Sequence, residues 1–294
     1  MDATKYLVKN MLKSVSKKLE IEMLYGQSGY GTVASVLGLV ITITTAEYAA
    51  GIWSGAENMP IEIRDVTGVT SRGTANITAV DISNRTITVD AVPGGTVATD
   101  VIWHKGAYNN EFAGLHKIVT NNSTLFNIDA SAYSLWKGNT YSAGSANLSF
   151  EKIQEAVSLA VEKGLDSNVI ILVSTRTWTD LLTEQSALRM YDSSYKSESV
   201  ENGSKEIKFH SQNGMLEIVP SIHVKEGYAY VCAPEDLMRI GSSDVTFKRP
   251  GRQDEFFRDL ENNAGYELRL YTDQALFCSA PGRLVLINNI VNAN

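Results

Sequence analysis

Apolar residues along the first 26 positions recur at helical spacing. Leu7, Met11, Val15, Leu19 and Met23 fall every four residues, with Leu12 and Leu24 beside them, so Lys5–Tyr25 is expected to form one long amphipathic helix. Gly26 suits the left-handed position that commonly ends a helix. An apolar extended stretch follows through Ile41 to Trp53. From Ile61 to about Val119 the spacing changes to short alternating strands, such as IEIRDV, TANITAV and RTITVDAV. Turn signals at Ser83-Asn84 and Pro93-Gly94-Gly95 punctuate them, so a small barrel or sandwich is expected there.

The pattern changes again after Thr124. TLFNIDASAY with Trp136 and Tyr141 predicts an irregular connection pinned by aromatics. Ser149 is placed to cap a second helix, ended by Gly164, whose buried stripe is Ile153, Ala156, Val157, Ala160 and Val161. NVIILVS is a continuous apolar run, as expected of a strand buried on both faces. A third helix over about Trp178–Tyr191 completes an α/β layer. Lys196–His210 is polar and reads as a surface loop or hairpin. Met215–Val224, Tyr228–Ala233 and Val245–Lys248 are expected strands, with a short helix opening at Pro234. Glu255–Glu261 suggests a helix, and Tyr266–Tyr271, Ala275–Ser279 and Arg283–Val291 read as closing strands.

Composition narrows the function classes. The 294 residues allow one large or two medium domains. A net charge of -7 argues against a broadly basic nucleic-acid surface. The longest apolar run, Val33–Ile43, is interrupted by polar residues and too short to span a bilayer, and no signal peptide is recognisable. Cys232 and Cys278 alone imply neither a disulfide nor a zinc framework.

Candidate chemistry is sparse. The glycines of GQSGYG lack the lysine and the strand–helix context of a phosphate loop. His104 and His116 would form a metal pair only if the β module brings them together; unliganded histidines are the commoner case, and no metal or cofactor is expected. Ser14-Val-Ser-Lys17 and Ser193-Ser-Tyr-Lys196 match S-x-x-K without its companion motifs. A hydrolase site near Ser174, Arg176 and Asp180, at the end of NVIILVS, would need a deep pocket there. Lys5, Lys9, Lys13 and Lys17 form a stripe that is either a solvated face or a contact for a neighbour's acids or for DNA. Phe256-Phe257, followed by Arg258, is either an exposed interaction patch or one turn of a buried helix.

The order of these parts resembles the major capsid proteins of tailed bacteriophages, which have the Hong Kong 97-type fold. The residues that carry the resemblance are LYGQSGYGTV after the long helix, TDVIWHKGAY and EFAGLHKIV in the β module, TLFNIDASAYSLWKG, SFEKIQEAVSLAVEKG, VIILVSTRTWTDLL and GYELRLYTDQALFCSAPGRLVLI. The resemblance implies an α+β fold with a spine helix, a peripheral β-sheet, an axial α/β domain and an inserted barrel-like module. Residues 1–60 would hold the spine helix and the start of the peripheral domain, 61–120 the inserted module and 121–148 a connection. Residues 149–248 would be the axial domain and 249–294 the returning peripheral strands. Ile41–Trp53 and Tyr266–Ile290 would supply the peripheral sheet, and Asp192–Ser211 a loop near a symmetry axis.

The function implied is a non-enzymatic shell protein. Copies of the chain would form pentamers and hexamers around phage DNA, with scaffold and portal as partners and no membrane or small-molecule substrate. The shell would be a virion capsid made in the host bacterium's cytoplasm. Lys5, Lys9, Lys13, Lys17, Phe256, Phe257 and Arg258 are the interface candidates. The family usually places an arm and an extended hairpin before the spine helix, so the resemblance implies either a truncated or late-started chain or a relative without the arm, and the cross-linking lysine of that hairpin is not assigned here. A carbohydrate-binding or other phage β module, and an encapsulin-like compartment shell, are the alternative readings.

Overall fold

A computed structural model describes residues 3–190, 207–211, 214–248 and 257–293. Helix α1 (Ala3–Tyr25) opens the chain. Strands β1 (Gly31–Leu37) and β2 (Val40–Ile43) follow, then a short helix α2 (Ala50–Trp53). Next come β3 (Pro60–Arg64), β4 (Ser71–Asp81), β5 (Thr86–Val89), β6 (Val101–His104) and helix α3 (Leu115–Thr120). A hairpin β7 (Thr124–Leu125) and β8 (Ile128–Asp129) leads to β9 (Asn139–Ala146), α4 (Phe150–Val161), β10 (Val169–Val173) and α5 (Thr175–Met190). The chain continues through β11 (Ile207–Ser211), β12 (Gly214–Pro220), β13 (Ala229–Cys232), β14 (Leu237–Thr246), β15 (Arg258–Asp259), β16 (Tyr266–Glu267), β17 (Tyr271–Cys278) and β18 (Val285–Ile290). The fold is mixed α+β.

Six strands close a barrel in the order β1-β2-β5-β4-β3-β6. Its interior is filled by residues two apart on successive strands: Ile41 and Ile43, Ile61 and Ile63, Ala75 and Ile77, Ile87 and Val89, all buried. This is the alternation that a small barrel requires. The barrel differs from the expected module in where it begins. Strands β3 to β6 by themselves leave β5 and β6 with unpaired edges. β2 covers the first edge, pairing Ile41 with Ile87, and β1 covers the second, pairing Gly31 with Ile102. Closure satisfies every edge, so Ile41–Ile43 belongs to the barrel and not to a separate sheet.

The second sheet has six strands in the order β11-β12-β10-β13-β18-β9. β9 and β18 run parallel, so residues 139–146 form an edge strand where an irregular connection was expected. β13 shows how this sheet serves two cores. Ala229 and Val231 face the cluster built with α4, whereas Tyr230 and Cys232 face the cluster shared with α1, α3 and the barrel. A strand used on both faces is apolar throughout, which is the reason AYVC shows no alternation. Ser149 caps α4 as expected, its Oγ accepting from the Lys152 N–H at 3.3 Å. Gly164 ends that turn at φ +89°.

Three local expectations are corrected. Residues 115–120 are helical, because Leu115, Ile118 and Val119 are buried at i, i+3 and i+4 spacing, the helical pattern. Gly26 does not take the left-handed conformation; Gln27 does, at φ +62°. Gly26 is required for a different reason. A Cβ there would lie 2.3 Å from the Phe112 carbonyl oxygen, where the end of α1 and the segment entering α3 run in contact. The described part of Glu255–Glu261 contains strand β15 rather than a helix. Most of Asp192–Ser211 lies outside the described residues; its last five form β11.

Candidate functional site

Helix α1 changes character along its length. Its last turn is core: Ile21, Leu24 and Tyr25 are buried. Its first half is not, since Tyr6 is 53% exposed, Leu7 60% and Leu12 36%. Val8, Met11 and Val15 are only half-buried. Five lysines and two glutamates lie on this helix, and all three charges before Lys17 that are described as exposed, Lys5, Lys9 and Lys13, are positive. An apolar strip beside a one-sign stripe, projecting from a well-filled core, is a surface left uncovered among the described residues.

The second projecting element is the ribbon of β14 and β17. Among the described residues the two strands pair only with each other, from Leu237 opposite Cys278 to Thr246 opposite Tyr271. The base is anchored, because Leu237, Leu276 and Cys278 join the core and Phe277 packs 5.3 Å from Phe126. Beyond it both faces meet solvent: Met238, 45% exposed, and Ile240, 48% exposed, lie on one face, and the exposed Arg239 between them lies on the other. Gly241 lets the strands close at the bulge, for a Cβ there would overlap the Asp273 carbonyl. The ten residues of β14 extend about 33 Å. A two-stranded ribbon is marginal in water without a packing partner. Its tip, β15 with β16, carries exposed Phe257 against Tyr266 at 6.1 Å, together with exposed Leu260.

A buried polar junction holds α1, the barrel and the sheet together. Lys225 is 2% exposed, and its ammonium donates to Glu47 at 2.6 Å and to the Gly29 carbonyl at 3.2 Å, 4.5 Å from the centre of the Tyr25 ring. The Tyr25 hydroxyl accepts from the Lys225 N–H at 2.8 Å. Tyr228 donates to the same Glu47 carboxylate. Burial works to raise the Glu47 pKa, but the Lys225 charge and the bonds from Lys225 and Tyr228 outweigh it and hold the carboxyl below its usual range. A second junction ties the barrel's β4–β5 turn to the sheet. Glu226 receives Arg85 at 2.8 Å and Arg176 at 3.2 Å.

The projecting helix and ribbon stand on this jointed core. The chain is similar to two shell proteins. One is the cyanophage A-1(L) capsid, with a TM-score of 0.45 and 13% identity over 63% of this chain and 61% of that one. The other is the holo-SrpI encapsulin complex from Synechococcus elongatus PCC 7942, with a TM-score of 0.38 and 8% identity over 62% of this chain and 57% of that one. The chain thus matches less than two thirds of either protein's length. No protein-family profile and no curated protein sequence matches it.

The remaining sequence candidates fall into place individually. Lys17 is half-buried and donates to the Ser54 carbonyl at 2.5 Å, so it leaves the exposed stripe. Phe256 lies outside the described residues, and Arg258 is placed in β15. Ser174 caps α5 by accepting from the Thr177 N–H at 3.2 Å, Arg176 pairs with Glu226, and the Asp180 carboxylate accepts from the Ala293 N–H at 3.0 Å. All three have structural partners. His104 stacks on Tyr30 at 4.1 Å, whereas His116 meets the Tyr230 hydroxyl at 2.9 Å. Among the described residues no group of three or more His, Cys, Asp or Glu side chains is placed to hold a metal ion, and no helix is long and apolar enough to cross a membrane. The ribbon is the projecting element that sequence reasoning missed. Its signal is the alternation of Met238 and Ile240 with Arg239, ahead of a charge-rich stretch.

His104 and His116 set an acid limit on the fold, and the buried His223 shifts in the same direction. Burial, with Lys225 adding to it against Glu47, pushes the His116 pKa down to about 4. Burial does the same to His104, to about 4, helped by Lys18 and Lys17. Both regain an ordinary value near 6.5 on unfolding. Between those values the unfolded chain binds more protons, so stability falls as pH falls from about 6.5 towards 4. The expected loss by pH 5 is about 2 kcal/mol for each imidazole. Urea unfolding from pH 7 to pH 5 measures it, and the variant H104Q/H116Q is expected to flatten the slope. A wild-type midpoint that is constant over this range excludes the effect.

Proposed function

We propose that this chain is a structural, self-associating shell protein of the capsid type and not an enzyme. The observation that carries the reading is the pair of unsatisfied elements on one well-cored body, the exposed first half of α1 and the two-faced β14–β17 ribbon. Each leaves apolar side chains in water that a neighbouring copy would cover. Surfaces at different places on the molecule make contacts of the head-to-tail kind, which close into rings under rotational symmetry. Pentamers and hexamers of this kind would build an icosahedral shell around phage DNA, with scaffold and portal proteins as partners, in the virion. Lys5, Lys9 and Lys13 would meet acidic groups of a neighbour or the packaged DNA, and Phe257 would enter a contact made by the ribbon tip. The order of the parts along the chain supports the same reading.

Light scattering behind a sizing column, with negative-stain images of the peak, tests it. Rings, sheets or shells are the expected result as protein concentration rises. A monomer at every concentration overturns self-association by these surfaces. Nucleic acid that survives nuclease inside purified shells supports the capsid form of the reading, and empty or protein-filled shells favour a compartment.

A further inference from the structure

A cleft of about 300 Å³ lies between α1 and the barrel. Its floor is apolar: Ile21, Ile52, Ala56 and Met59. Its walls carry three lysines, Lys17, Lys18 and Lys105, and His104. No carboxylate lines it among the described residues. The contrast with the adjoining cleft is informative. That one shares Lys18 and Lys105 but also holds Glu22 and Glu111, so its charges balance.

The cations of the first cleft are poorly compensated from within. Lys17 has one neutral acceptor, the Ser54 carbonyl, and Lys18 shares Glu22 at 3.5 Å on its outer side. His104 is 8% exposed, and its Nε2 has no hydrogen-bond partner. A buried polar atom left without a partner costs on the order of 1–3 kcal/mol in general, so a ligand that hydrogen-bonds to it recovers that cost. Burial pushes the Lys17 ammonium pKa down, with Lys13 assisting and Glu57 opposing, which is the behaviour of a cation short of counter-charge. The volume lies at the lower end of small-ligand sites, which run from about 300 to 1,000 Å³.

We propose that this cleft is a binding site for a small amphipathic anion, a phosphate or carboxylate head on a short apolar body. The head would sit among Lys17, Lys18 and Lys105, where charge-assisted hydrogen bonds are strongest, and the body would cover Ile21, Ile52 and Met59. The inference does not depend on the shell reading, since the site is complete within one protomer.

Calorimetry on the full chain with hexyl phosphate, inorganic phosphate and hexanol is the test. Hexyl phosphate is expected to bind more tightly than either, because each of the others lacks half of the complement. The variant K18Q/K105Q is expected to raise its Kd about tenfold or more, as the loss of charged contacts does. The His104 ring-proton resonances of the unsubstituted protein are expected to move and saturate with the same Kd, which keeps the test valid if the variant folds poorly. Equal affinity for hexyl phosphate and hexanol, or no binding by about 10 mM, which corresponds to no useful affinity, overturns the proposal. An unchanged Kd in a folded K18Q/K105Q variant also overturns it.

Discussion

Replacing Glu47 with alanine is expected to lower the stability of the fold by about 3–5 kcal/mol, the usual cost of leaving one member of a buried ion pair alone. The reason lies in what Lys225 would lose. Its ammonium is 2% exposed and has one charged partner, at 2.6 Å, with only the Gly29 carbonyl and the Tyr25 ring besides. Tyr228 would lose its acceptor in the same step. The charge, not the geometry, sets the size of the effect. The double variant K225M/E47L removes both charges and keeps the volume, and it is expected to recover most of the loss, because buried pairs replaced by apolar residues are commonly neutral in cost. Urea unfolding of the wild type and both variants decides it. A fall in the single variant below about 1 kcal/mol, the range of an exposed pair, would show that water reaches the junction and that Lys225 is solvated.

The variant L7E/L12E is expected to abolish assembly while leaving the protomer intact. Leu7 and Leu12 are 60% and 36% exposed, so their removal from the protomer opens no cavity and is expected to change unfolding by less than about 0.5 kcal/mol. In an assembled contact the same positions would bury a carboxylate without a partner, which costs several kcal/mol and is ample to dissolve a contact repeated around a ring. Sizing with light scattering reads the assembly, and urea unfolding reads the protomer. Assembly equal to that of the wild type removes the first half of α1 from the contact and leaves the ribbon, through Met238 and Ile240, as the surface to alter next.

Much of the local structure is legible residue by residue. The i,i+4 leucines and methionines mark α1, Ser149 and Gly164 bracket α4, and the paired apolar positions from Ile61 to Val89 mark barrel strands. The misreadings share a cause. LHKIVT follows a run of strands and so reads as strand, although its buried positions are helical. NTYSAGSA has little apolar content and reads as a connection, yet it pairs with β18 from Asn139 to Ala146 through its backbone, which no side chain announces. Of the interface candidates, Lys5, Lys9 and Lys13 do sit on an exposed face, whereas Lys17 does not, because Ser54 reaches it from a loop 37 residues away.

The chain's own periodicities therefore determine which segments are helix and strand and which side of each is apolar, since those depend on residues two to four apart. Tertiary structure decides how the apolar sides are spent. β1 and β2 close the barrel because two strand edges need partners, and β13 is apolar throughout because two cores meet on it. The leucines of α1 look alike in the sequence, but those near Tyr25 are held in the core by the junction around Lys225, and those near Lys5 extend past the last element that can cover them. The same residue type is core at one end of the helix and open surface at the other, because burial depends on what the rest of the chain brings alongside and not on the helix itself.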